Sequence, residues 1–301
     1  MSGNTGTTLT RRRTYAVVVV AALVVGAVLA PVAWERTNGP DGRVAVVSID
    51  GFVSTQSVGA IQEDLREARE NESIRAVVLK VDSPGGSAAA SEQLYMAVQR
   101  TAKEMTVVAS VQSMGASGAY YGMLPAENIY VTPASVVGSV GVRGSAPRPV
   151  PSNQIRSGPD KASTTADQRR AQIETLKQAF VGSVMKHRGD DLALSRTEVA
   201  HAKVYTGARA VDNGMADKIG SLQDAIHEAA QKEGLDDYEV VRKEPPRRGG
   251  LLLLSANAEG ENPTVVVEES PVGYDGVRTS TFLMVHGTVQ YEDEVIGNVS
   301  T

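Results

Sequence analysis

The chain has no cysteine. That excludes disulfides, thiol catalysis and cysteine-ligated metals, and it leaves the compartment open, because secreted proteins can lack disulfides. Large aromatics are scarce: one tryptophan and three phenylalanines in 301 residues. With 29 glycines, the interior has to be built from Ala, Val, Leu and Ile, with close backbone approaches. Positive charge is not in excess. The formal net charge is −5, which gives no footprint for nucleic acid. There are only four histidines and no HExxH pattern, so no zinc motif is present and no metal or cofactor is implied. No internal repeat is evident.

One long apolar run does occur. Arg11, Arg12 and Arg13 precede "YAVVVVAALVVGAVLAPVAW", residues 15–34. Twenty uncharged residues match the length of a membrane-crossing helix, and the basic flank is expected to stay in the cytoplasm. The run reads as an anchor in contact with membrane lipid. A cleaved signal peptide and a buried core helix are the alternatives. The resulting organisation is a basic cytoplasmic tail (1–14), a transmembrane anchor (15–34), a linker (35–43), a catalytic domain (44–240), and a linker with a small β-like appendage (241–301). The protein is then single-pass in the cell membrane, with its catalytic domain outside the cytoplasm.

Beyond the linker, β-type and helical patterns alternate. "VAVVSID" (44–50), "IRAVVLKVD" (74–82), "MTVVASVQ" (105–112), "NIYVT" (128–132) and "SVVGSVGV" (135–142) read as strands. Residues 57–73, 88–104, 165–187 and 221–232 read as helices. The alternation predicts an α/β fold with largely parallel strands. "SPGGS" (83–87) reads as a turn, and the Pro-, Gly- and Ser-rich stretch 143–164 as a loop. In the tail, "TVVVEE" and "TFLMVHGTVQY" are strand-like.

"SMGASGAYYG", residues 113–122, places Ser117 among tiny neighbours at a strand-to-helix junction. Such a serine is either a nucleophile or a helix N-cap. A nucleophile needs a base. His187, His201 and His227 sit in charged helical contexts and His286 lies in the tail, so solvated positions account for them. Lysine is the other base for serine once burial lowers its pKa. Most lysines here lie in charged helices. Lys161, in "IRSGPDKAS", does not, although its residues taken alone read as those of a surface lysine.

Four stretches together carry a resemblance over about residues 44–240: "DSPGG" (82–86), "SMGASGAYY" (113–121), "TPASVVGSVGV" (132–142) and "KVYTGARAVDNGMADKIGSLQDAI" (203–226). They resemble the signal peptide peptidase A family of membrane-bound serine proteases, in its short form with one catalytic domain. The resemblance implies the Clp-protease/crotonase-like superhelical fold behind an N-terminal transmembrane helix, and a homo-oligomeric ring. It assigns Ser117 as nucleophile, Lys161 as general base, Ser139 as support for the lysine amine and the Gly86 N–H as an oxyanion donor, and Gly118, directly after the serine, offers the second N–H of an oxyanion hole. The implied substrates are cleaved signal peptides and other membrane-associated peptides. Two departures stand out: Ala119 replaces a usual glycine, and the stretch from Ser139 to Lys161 is short and proline-rich. A stomatin-type membrane protease with the same dyad, a crotonase-like acyl-CoA enzyme, and an inactive scaffold are the alternative readings.

Overall fold

The computed structural model describes residues 24, 25, 27, 40–145, 155, 157, 158, 165–243 and 282–286. The chain divides into two compact units, residues 1–41 and 42–301. In the first, Val24, Val25 and Ala27 are helical. The rest of the anchor expected over residues 15–34 lies outside the described residues. No helix among the described residues is long and apolar enough to cross a membrane.

The second unit is built on a mixed ten-stranded sheet, counted among the described residues. Its centre is parallel: β1 (Gly42–Val53) lies between β9 (Tyr238–Lys243) and β2 (Ile74–Ser87), and β2 pairs with β3 (Thr106–Ala116). β4 (Asn128–Val131) and β8 (Lys218–Ile219) continue the parallel run. The helices between these strands are α1 (Thr55–Glu70), α2 (Ala88–Thr101), α3 (Gly118–Met123), α4 (Ala166–Arg188), α5 (Arg196–Val199), α6 (Gly207–Asp212) and α7 (Leu222–Lys232). The α/β class expected from the alternating pattern is the one observed.

Register explains why the central strands carry apolar residues in succession rather than in alternation. Val46, Val78 and Val108 stand side by side across β1, β2 and β3, and Val47, Leu79 and Ala109 form the next row. Successive side chains point to opposite faces, and both faces are covered. One row packs with Ala225, Ile226 and Ala229 of α7. The other packs with Leu65 of α1, Leu94 of α2 and Phe180 of α4. A strand buried on both faces has no polar side to alternate with. Each such Val, Leu or Ile contributes about 1.5–3 kcal/mol through burial.

The carboxyl ends of β2 and β3 split from the flat centre. The middle of β3 pairs with β4, but Met114–Ala116 pairs with β5 (Val136–Gly138), which pairs in turn with β7 (Val204–Thr206). Likewise the end of β2 leaves β3 and takes up β10 (Phe282–Val285), which also borders β6 (Arg143–Gly144). The reading of residues 83–87 as a turn is therefore corrected: they continue β2, because Gly85 and Gly86 keep pairing with Phe52 and Val53 of β1. Within the tail expected to form a β appendage, Phe282–Val285 joins the main sheet, while "TVVVEE" lies outside the described residues. Of the stretch expected as loop, residues 143 and 144 form the short β6.

A buried ion pair fixes the last turn of α4. Arg188, 4% exposed, holds Asp217 through two bonds of 2.8 and 2.9 Å, and its guanidinium also donates to the Gly214 carbonyl. Asp217 accepts in turn from the Ile129 N–H at 2.7 Å. Removing one partner strands the other charge in the interior. Arg188→Ala is expected to cost about 3–5 kcal/mol, a fall in Tm of about 10 °C or more. Thermal unfolding checks this, and Arg188→Met combined with Asp217→Asn is expected to lose less than Arg188→Ala alone.

Candidate active site

β3 ends at Ala116 and α3 begins at Gly118, so Ser117 is the whole connection. Its backbone is held at φ 52°, ψ −119°, a left-handed conformation that costs a non-glycine residue of the order of 1–3 kcal/mol. The surroundings enforce it from both sides. The Ser117 N–H donates to the Gly138 carbonyl at 2.8 Å, and the Ser117 carbonyl accepts from the Tyr121 N–H at 2.9 Å. The Ser117 side chain makes no cap hydrogen bond, so the N-cap alternative is not the geometry observed. Its Oγ is buried and has no hydrogen-bond partner among the described residues. A buried hydroxyl that none of the surrounding described residues bonds calls for a chemical reason.

The tiny neighbours in "SMGASGAYYG" are explained by close approach. A Cβ on Gly118 would lie 2.1 Å from Ser91 Oγ, and one on Gly122 would lie 2.4 Å from Leu94 Cδ2. These two glycines, one turn apart, let α3 lie directly on α2. Ala119 is fully buried in the main core cluster. The two tyrosines are structural. The Tyr120 hydroxyl donates to the Met215 carbonyl at 2.7 Å, and burial pushes its pKa up. The Tyr121 ring stacks on Tyr95 at 4.9 Å and leans on Phe180.

The end of β2 meets Ser117 at Gly85 and Gly86. Gly85 has φ 93°, and a Cβ there would lie 2.6 Å from Gly118 N, 3.0 Å from the Ala116 oxygen and 2.1 Å from the Met284 oxygen. Three backbone segments, at Gly85, Ala116–Gly118 and Met284, thus converge at a point where no side chain fits. Gly86 is equally confined, since its Cβ would fall 2.0 Å from the Val53 oxygen. Supporting groups hold the turn. Ser83 donates to the Gly51 carbonyl at 2.5 Å and accepts from the Gly85 N–H at 3.1 Å. Asp82 accepts from the Ser113 hydroxyl and the Met114 N–H, tying β2 to β3. Asp82 is a structural clip and Ser83 a positioning group. The sequence reading gave Ser83 no role, although it lies within "DSPGG".

Ser139 follows Gly138, the residue that accepts the Ser117 N–H. Its own φ is 56°, and its N–H donates to the Lys203 carbonyl at 2.8 Å. The structure therefore gathers Ser117, Gly118, Gly85, Gly86 and the Gly138–Ser139 bend. Lys161 lies outside the described residues. None of the four histidines bonds to Ser117 Oγ. His187 is instead hydrogen-bonded to the Tyr95 hydroxyl at 2.8 Å, and burial, then the neighbouring Lys186 and Arg188, hold its pKa below the usual imidazole range. Among the described residues no cluster of three His, Asp or Glu side chains is placed to hold a metal ion.

A buried serine on a strained strand-to-helix junction, facing a backbone cradle of glycines, suits attack on a carbonyl and stabilisation of the resulting oxyanion. Comparison with known proteins points the same way. The model of peptidase family S49 matches residues 99–148 and 159–236. Ser117, Gly118 and Ser139 fall in the first stretch and Lys161 in the second, while Gly86 precedes both. Protease 4 of Haemophilus influenzae is 31% identical over 226 residues, 65% of this chain and 36% of that one. An inferred protease of Methanocaldococcus jannaschii is 30% identical over 209 residues, 64% of this chain and 67% of its own length. Among solved structures, a mutant of a membrane-bound stomatin-specific protease aligns at a TM-score of 0.47 and 16% identity, over 68% of this chain and 98% of that one. The nucleophile junction and the relative matched over two thirds of its length converge on one assignment: the chain belongs to peptidase family S49, whose members are serine proteases.

Proposed function

We propose that the protein is a membrane-anchored serine endopeptidase working through a Ser117–Lys161 dyad. The observation that carries this reading is the Ser117 hydroxyl: buried, without a partner among the described residues, and held on a strained backbone beside Gly85 and Gly86. In the proposed reaction the neutral Lys161 amine takes the Ser117 proton as Oγ attacks the peptide carbonyl carbon. The Gly86 and Gly118 N–H groups receive the oxyanion, a contribution of several kcal/mol to the transition state. The C–N bond breaks, and the lysine ammonium returns the proton to the leaving amine. Water, deprotonated by the same amine, then hydrolyses the ester and restores Ser117. Ser139 orients the Lys161 amine.

Residues 15–34 serve as the anchor in this reading, with the catalytic unit outside the cytoplasm. The resemblance to signal peptide peptidases supports cleaved signal peptides and other membrane-associated peptides as substrates, and a homo-oligomeric ring as the assembly. A serine-reactive phosphonate applied to alkali-washed membranes tests the whole reading. The expected result is a labelled chain that stays in the membrane pellet, with the label on the peptide containing Ser117. A chain that takes no label removes the protease reading, and a labelled chain released by alkali removes the anchor.

A further inference from the structure

The end of β2 carries one residue more than the strand beside it. From the pair Asp50–Asp82 to the pair Phe52–Gly85, β1 advances two positions and β2 three. The additional residue makes a bulge at Ser83-Pro84. Pro84 contributes no N–H there. The Gly51 carbonyl is served instead by the Ser83 hydroxyl, which donates to it at 2.5 Å. The same oxygen accepts from the Gly85 N–H at 3.1 Å. A hydroxyl has one donor and two acceptor sites, so a single fully buried side chain ties the bulge to β1 and to the glycine that follows it.

This arrangement separates the roles of two neighbouring N–H groups. The Gly85 N–H is committed to Ser83 Oγ and is not available to a substrate carbonyl. The Gly86 N–H, one peptide further on, is the donor in the reaction proposed above. Gly85 is also the spacer between the two oxyanion donors, since a Cβ on it would lie 2.6 Å from Gly118 N. At φ 93° it has no side chain to fix its own dihedral angles, and glycine changes conformation at little cost. The Gly85–Gly86 peptide therefore needs a clamp from outside, and the Ser83 hydroxyl is bonded to it on one side and to β1 on the other.

We propose that Ser83 is a positioning residue for the reaction: by holding the Gly85 N–H, its hydroxyl aims the Gly86 N–H at the oxyanion and sets its spacing from the Gly118 N–H. The proposal rests on the reading of Ser117 as nucleophile and of Gly86 and Gly118 as oxyanion donors. Ser83 acts through Gly85 and touches no reacting atom. Its effect is confined to the transition state, where charge develops on the carbonyl oxygen and the aim of the donors decides their worth. Pairing with Phe52 and Val53 keeps Gly85 and Gly86 in the sheet without the hydroxyl, so the fold survives its removal.

Ser83→Ala in the full chain is expected to lower kcat for a chromogenic peptide about 10²-fold with KM unchanged, as for an interaction made only in the transition state. A peptide aldehyde, which forms a tetrahedral adduct with the serine, is expected to bind more weakly by the same factor. Binding of the uncleaved peptide, measured in a Ser117→Ala background, is expected to stay at the parent's level. Ser83→Thr keeps the hydroxyl and is expected to recover most of kcat. Ser83→Cys is close in shape but a weaker hydrogen-bond partner, and its kcat is expected to fall between those of Ser83→Ala and the parent. Should Ser83→Ala not fold, Ser83→Cys against the parent carries the same reading. Counting active sites with the phosphonate separates aim from damage: fewer sites, each with the parent's kcat and aldehyde affinity, overturn the proposal. Parent-like kcat and aldehyde affinity in the folded variants overturn it as well, and the protease reading stands because Ser117 is still labelled. If the parent itself takes no label, the protease reading fails and this proposal fails with it.

Discussion

Ser117→Ala is expected to lower peptide hydrolysis at least about 10⁴-fold while the protein stays folded and loses no stability. The loss of activity follows from the absent nucleophile. The stability half carries independent content. In most positions a buried serine is bonded, and its removal costs stability. Here Oγ has no partner among the described residues, so alanine removes no hydrogen bond to any of them. The backbone restraints at 2.8 and 2.9 Å, from Gly138 and Tyr121, involve only main-chain atoms of Ser117 and survive the change. Tm is therefore expected to hold within a few degrees. A variant that keeps a tenth of the parent's activity refutes the nucleophile.

Lys161→Ala is expected to abolish activity to a similar degree, because a methyl group accepts no proton. Lys161→Arg is not expected to rescue it, since a guanidinium stays charged at any working pH. The pH profile is the sharper measurement. An ammonium cannot act as base, so kcat/KM climbs as pH rises through the lysine pKa and levels off above it. A lysine that serves as base in a closed site is expected to titrate below the ordinary value of about 10.4, because burial disfavours the charged form. Partial lowering places the optimum on the alkaline side of neutrality. The four histidines are expected to leave this limb in place when replaced one at a time. His187 is the informative case, because it is bonded to Tyr95 and its pKa is lowered by burial and by Lys186 and Arg188. Full activity in Lys161→Ala, or a limb that moves with a histidine, ends the dyad assignment.

The central strands and the nucleophile junction were legible in the residues themselves. Val44–Val47, Val77–Leu79 and Val107–Ala109 are apolar because both faces of the sheet are covered there. The tiny residues around Ser117 are likewise a local record of close packing, with Gly118 against Ser91 and Gly122 against Leu94. The end of α1 was placed three residues late: the helix stops at Glu70 because Asn71 is already extended.

What the residues did not disclose is pairing between distant segments. Pro84-Gly85-Gly86 carries the local chemistry of a turn, yet Val53 on one side and Met284 on the other keep it in the sheet. The same holds for the left-handed bend at Ser139, which depends on the carbonyl of Lys203. "TFLMV" announces a strand by its side chains alone. Which edge it joins depends on backbone groups that every residue carries, and a hydrogen bond between residues nearly two hundred positions apart leaves no mark in either stretch. The sequence by itself therefore determined the layered α/β core and the serine at its strand-to-helix junction. Only the tertiary structure decided that Phe282–Val285 joins the end of β2, because edge pairing is non-local and main-chain atoms have no letter of their own.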